Sequence, residues 1–167
     1  GRIGGHLGGL AHAAGGEHHV AGIERHRLPV PEGDDPGDPL AVVPERRLTR
    51  KPAGLSFVEA AVLPVSGLTA LNAVHDTAQV QAGQHVLVTG ASGGVGTYAV
   101  QLAAASGAHV TAVCSGAKAD LVRSLGATDV IDYTVEDINR DGRAYDVIID
   151  IAGNRPLALL RRCLTPD

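Results

Sequence analysis

Half of the run Thr89-Gly-Ala-Ser-Gly-Gly-Val-Gly96 is glycine. Residues without a side chain permit a tight turn and let the backbone approach a diphosphate closely. A helix that starts there aims its free N–H groups and the positive end of its dipole at the same anion. Three positions, Ala91, Gly93 and Gly96, fit the spacing of the dinucleotide fingerprint, with alanine in place of its first glycine. Ser92, Gly94 and Val95 complete the candidate diphosphate loop.

Which dinucleotide binds is read one strand later. NAD-binding sheets normally end their second strand on an acidic residue that takes the ribose 2′-hydroxyl. Here that strand runs into Val113-Cys-Ser-Gly-Ala-Lys118, with no acid before Asp120. A small hydroxyl and a lysine favour a 2′-phosphate, so Ser115 and Lys118 point to NADP(H). Ser115 is equally placed to cap the next helix.

Other chemistries find less support. Five of the eight histidines lie in residues 1–40, among ten glycines, and no H-E-x-x-H or C-x-x-C spacing occurs. No zinc site is therefore expected. Asp132, Asp146 and Asp150 sit at strand ends; a strand-start cap explains Asp146, solvation and loop hydrogen bonding explain Asp150 on the ligand side, and no catalytic acid or base is assigned. The two cysteines, Cys114 and Cys163, fit reduced thiols in a reducing compartment, and a cytoplasmic protein is expected.

The elements that must hold the loop follow from apolar periodicity. His85–Thr89 and His109–Val113 read as strands, as do 129–132 and 146–151. Helices at 95–106, 117–125 and from 157 onward separate them, with Gly107 and Gly126 as stops. Strand and helix in strict alternation mean βαβ units and a parallel sheet. Upstream, Ser56-Phe-Val-Glu59 has the form of a capping box, predicting a short helix that ends before Pro64. Leu68, Leu71 and Val74 mark a second helix near 66–77, and Leu40–Val43 a short strand. The fold class expected is a truncated Rossmann-type α/β sheet of about four strands with helices on both faces, preceded by an irregular N-terminal segment.

Composition agrees. The 167 residues are 44% hydrophobic but hold one Phe, no Trp and no Met. Such a core suits a helix-covered parallel sheet better than a base-stacking platform. A net charge of −4 gives no footprint for nucleic acid or an anionic membrane. No unbroken apolar run approaches about 18 residues, so no bilayer span is expected.

These residues resemble the medium-chain dehydrogenase/reductase superfamily, in its quinone oxidoreductase (zeta-crystallin-like) branch. The likeness rests on Ala41-Val-Val-Pro-Glu-Arg46, on Phe57-Val-Glu-Ala-Ala61 through Gly67-Leu-Thr-Ala70, and on the stretch from Gly83 to Gly96. Gln101 and Leu125-Gly-Ala-Thr-Asp-Val-Ile-Asp-Tyr133 complete it. The resemblance implies a Rossmann sheet joined to a GroES-like substrate domain. It implies hydride transfer from NADPH to quinones, enones or aldehydes without zinc, and a homodimeric parent enzyme. It also implies that Thr69 lies beside the nicotinamide. By the same resemblance, Tyr133 is expected to join Ser115 and Lys118 around the 2′-phosphate.

Departures from that family shape the domain expectation. Two-domain members need about twice this much chain. Residues 1–40 are read as irregular and out of frame, 41–52 as a remnant of the GroES-like domain, and 53–167 as an NADP-binding domain cut short after its fourth strand. The chain is accordingly read as a fragment. The alternative is a nucleotide-binding remnant without catalysis. A short-chain dehydrogenase fits the glycine spacing, but no Tyr-x-x-x-Lys follows.

Overall fold

The computed structural model describes residues 48–139, 142 and 144–166. The expectations for residues 1–40 and the strand at 40–43 lie outside them. Residues 58–166 form one compact unit. Within the described part of the other unit, Lys51 Nζ donates to the Leu55 carbonyl and lies 5.3 Å from the centre of the Phe57 ring.

Four strands make one sheet: β1 (His85–Thr89), β2 (His109–Cys114), β3 (Asp129–Asp132) and β4 (Val147–Asp150). Their order is β3-β2-β1-β4 and every pairing is parallel. This is the expected half-Rossmann arrangement. Valine and isoleucine dominate because strands covered on both faces have no solvent side to alternate with.

Alternate residues serve opposite faces. Val86, Val88, Val110, Ala112 and Cys114 pack against Ala99, Val100 and Ala103 of α2 (Gly94–Ala105) and against Val122 of α3 (Ala119–Ser124). Leu87, Val113 and Ile131 face the other way. They meet Ile138, Tyr145 and Leu160, the last from α4 (Leu157–Arg162). Gly107 and Gly126 stand at φ +81° and +109° and end α2 and α3 in the left-handed region, as their positions predicted. After α4, Leu164 forms a parallel bridge with Tyr145, on the side of β4 away from β1.

The reading of residues 57–77 is corrected. Instead of two helices parted at Pro64, α1 (Phe57–Leu71) runs through the proline and passes into one π-helical stretch at 72–77. Proline removes one amide donor and opposes the turn before it. The chain around Pro64 is exposed, so water can take up the carbonyl left without a donor. The membrane-span expectation changes with it. Phe57–Thr77 forms 21 residues of continuous helix with a mean hydropathy of 1.5, long and apolar enough to cross a bilayer by length and composition. The same stretch carries Glu59 and Asp76 and buries Ala70 and Val74 in the core.

Candidate dinucleotide site

The glycine run forms the bend between the carboxyl end of β1 and the start of α2, at the centre of the sheet. Strand order reverses between β1 and β4, and ligands of open α/β sheets bind where it does. Gly90 turns the chain at φ +62°. Because this residue, and not the next, takes the left-handed conformation, Ala91 carries its methyl without strain. Ala91 is fully buried and donates its amide to Val113 O at 3.1 Å, tying the bend to β2.

Gly96 is required by packing. A Cβ there would stand 2.7 Å from Ala91 Cα and closer still to the Gly90 carbonyl oxygen. The first turn of α2 therefore presses directly on the bend. Gly93 precedes the helix with no side-chain cap, and its own amide donates to Gly90 O at 3.0 Å. The first intrahelical acceptor, Gly93 O, is taken by Thr97 N, so the amides of Gly94, Val95 and Gly96 have no acceptor within the helix. Gly93 and Gly94 are exposed, Ser92 and Val95 half-buried, and Gly96 buried. An open row of amides at a helix start suits an anion.

A network centred on the buried Thr89 holds the neighbouring, partly exposed loop. Thr89 Oγ1 donates to Asp150 Oδ1 at 2.5 Å and accepts from the amides of Ile151 (3.1 Å) and Ala152 (3.2 Å). One donated and two accepted bonds saturate a hydroxyl. Asp150 Oδ1 also accepts from the Gly153 amide. The loop after β4 is thereby drawn over the bend, with Ala152 N 3.2 Å from where a Cβ on Gly90 would lie.

The three residues assigned to the 2′-phosphate gather at one corner. Ser115 follows β2 and is half-buried; it makes no side-chain cap, so the capping role does not hold. Lys118, exposed at the end of the short 3-10 turn Gly116–Lys118, donates its amide to Ser115 O. Tyr133, also exposed, donates its amide to Cys114 O, which sets it beside Ser115.

Asp132 joins them. It pairs in register with Cys114, so β3 delivers a carboxylate to the corner where the chain of β2 offers none. The Thr134 amide and hydroxyl reach its Oδ1 at 2.9 and 2.7 Å, and the Gly116 amide adds a third bond. These bonds, the Thr134 amide foremost, hold its carboxyl below the ordinary value. Burial pushes the adjacent Cys114 thiol up, and the Asp132 charge adds to that rise against Arg123. Cys163 is raised likewise, first by burial, and both cysteines are free and buried.

Thr69 stands apart from the bend in its bonding. Its hydroxyl donates to Val65 O, one turn back on α1. Ser66, three residues earlier, makes the approach instead: its Oγ lies 3.1 Å from where a Cβ on Gly94 would be. Sequence reading missed Ser66, the place of Asp132 at the corner of Ser115 and Lys118, and the Thr89–Asp150 pair. The i, i+3 spacing of Ser66 and Thr69 on one helix was the signal available for the first. Among the described residues, no three His, Cys, Asp or Glu side chains cluster closely enough to hold a metal ion.

Comparison with known proteins places this geometry. The family model described as zinc-binding dehydrogenase matches residues 94–167. The chain is 40% identical over 137 residues to a chloroplast envelope quinone oxidoreductase homolog of Arabidopsis thaliana, covering 77% of this chain and 42% of that protein. It is 44% identical to a mitochondrial NAD(P)H oxidoreductase of Mus musculus, over 68% of this chain and 31% of the relative. A crystal structure of the quinone oxidoreductase of Pseudomonas syringae superposes with a TM-score of 0.69 at 34% identity, covering 76% of this chain and 41% of that one. The chain thus spans less than half the length of these relatives. Their chloroplast and mitochondrial names overturn the cytoplasmic expectation, which rested on two cysteines alone. Reduced thiols follow from burial and spacing and name no compartment. The sheet, the bend and these likenesses together support the medium-chain dehydrogenase/reductase superfamily, in its quinone oxidoreductase branch, for the part of the chain that they cover.

Proposed function

We propose that residues 53–167 form the NADP(H)-binding part of an oxidoreductase that passes hydride from NADPH to a quinone, enone or other small carbonyl compound. The observation that carries this reading is the bend at Gly90–Gly96, which opens helix amides to an anion at the point where strand order reverses. The relatives' names, quinone and NAD(P)H oxidoreductases, support the reaction class.

When bound, the nicotinamide supplies the hydride; the protein's share is position and electrostatics. The amides of Gly94, Val95 and Gly96 take the diphosphate. Ser115, Lys118 and Tyr133 take the 2′-phosphate, with Lys118 as the counter-charge. Asp132 stands at that corner, but its oxygens are engaged by Thr134 and Gly116, which also fixes the turn that carries Lys118. Ser66 of α1 adjoins the diphosphate loop at Gly94, and Thr69, three residues on, is assigned to the nicotinamide by the family resemblance.

Titration of the chain with NADPH and NADH, read by nicotinamide fluorescence, tests the reading. NADPH binds more tightly, and Lys118→Ala removes most of the difference, roughly the 1.5–3 kcal/mol of a charge-assisted hydrogen bond, or about tenfold to a hundredfold in Kd. Equal affinity for the two cofactors in the unaltered chain overturns the choice of NADP. Absence of binding to either overturns the site. Quinone-dependent oxidation of NADPH separates an active reductase from a chain that only binds.

A further inference from the structure

We propose a second binding site at the opposite end of the sheet, in which His85 and His109 together hold a divalent transition-metal ion, Cu(II) foremost. The two histidines open adjacent parallel strands and are register partners. Their side chains emerge on one face, both exposed, with ring centres 5.0 Å apart and planes inclined by 24°. They border a cavity of about 390 Å³ that Thr111, Thr128 and Tyr145 also line. Nothing in the dinucleotide reading uses these residues.

The backbone beneath the rings is fixed. The His85 amide donates to Asp146 Oδ2 at 2.8 Å, its carbonyl accepts from Asp146 N, and the His109 amide donates to Gln84 O at 2.8 Å. The next residue of each strand, Val86 and Val110, is fully buried. Only side-chain rotation separates the stacked rings from a pair of converging ring nitrogens. Neutral imidazole suits copper, nickel and zinc, and copper binds most tightly in the divalent series. Asp146 adds a carboxylate beside the His85 backbone, which favours a cation. With two protein ligands, the remaining coordination positions open to water or to a small ligand in the cavity, so the ion exchanges. Because both ligands are set only in the folded sheet, binding also clips β1 to β2.

The test is titration of the full chain with Cu(II) in a non-coordinating buffer, followed by the imidazole NMR signals of individual histidines. His75, exposed and on another element, serves as the single-ligand reference. His85 and His109 broaden together, at copper concentrations about a hundredfold below those that broaden His75, as two-point attachment requires. His109→Asn returns His85 to the behaviour of His75. The proposal is overturned if His85 and His109 broaden independently, or only where His75 does. It is equally overturned if histidines in residues 1–40 take the first equivalents while these two signals stay sharp. The comparison with His75 in the unaltered chain stands even if the variant fails to fold.

Discussion

Thr89 is the residue on which the site's shape turns. Its hydroxyl is wholly buried and bonded three times, to a carboxylate on β4 and to two amides of the loop beyond. Valine has nearly the same shape but no oxygen. Thr89→Val leaves Asp150 with only its Gly153 donor and the Ile151 and Ala152 amides without their acceptor. A loss of about 0.5–1.5 kcal/mol of stability is expected, the net worth of hydrogen bonds to a partly exposed loop, and denaturant unfolding measures it. Serine at the same position retains most of the stability, which separates the hydroxyl's role from that of the methyl. Asp132 makes a different prediction. Its carboxyl titrates below the ordinary value because Thr134 and Gly116 donate to the charged form. A group depressed in the folded state stabilises above its unfolded pKa of about 3.9 and loses that contribution as pH falls through the folded value. Stability therefore drops more steeply below about pH 4 in the unaltered chain than in Asp132→Asn, as acid unfolding followed by circular dichroism would show. Equal acid sensitivity of the two chains would remove Asp132 from the network.

Among the elements, the contact of α2 with the bend is the tightest. Gly96 admits no side chain because Ala91 and the Gly90 carbonyl occupy the space. Gly96→Ala must push α2 away from β1, at about 1–3 kcal/mol of stability, and it displaces the amides that face the anion. Gly93→Ala meets only Gly90 O at 3.2 Å and serves as the milder control. Nucleotide titration of the two variants should show NADPH binding lost in the first and reduced in the second; full binding by Gly96→Ala would mean that the bend is not the cradle. This contact was legible in the sequence, since glycine spacing between a strand and a helix states it outright. So were the four strands and their parallel order, because buried apolar runs and glycine stops are local signals. What was not legible depends on chain segments far apart. Asp132 reaches the end of β2 only through the Cys114 register. Asp150 meets Thr89 across 61 positions of sequence. The continuity of α1 through Pro64 was hidden for another reason. A strong local breaker is overridden where water can satisfy the carbonyl it orphans.

At the scale of the whole unit, two apolar layers on a four-stranded sheet have to stabilise both the core and an open bend. Ala91 anchors the bend in the core, but its open part contributes little, since Gly93 and Gly94 are exposed and the helix amides there lack acceptors within α2. A diphosphate seated on those amides satisfies groups that the chain itself leaves to water, and it does so only in the folded sheet. Folding and binding are therefore linked, and ligand at a hundred times its Kd adds about 2.7 kcal/mol to the folded state. For a compact unit of this size that is a rise of about 10 °C in Tm. NADPH should produce it in a thermal melt of the unaltered chain, NADH at the same concentration a smaller rise, and Gly96→Ala none with either. The opposite end of the sheet supplies the internal control. Asn at His109 is remote from the bend and should leave the NADPH-induced rise intact, because the proposed dinucleotide site lies at the carboxyl ends of the strands. A chain whose melting is indifferent to NADPH, while its circular dichroism matches the four-stranded fold, would show that the sheet forms without building the cradle.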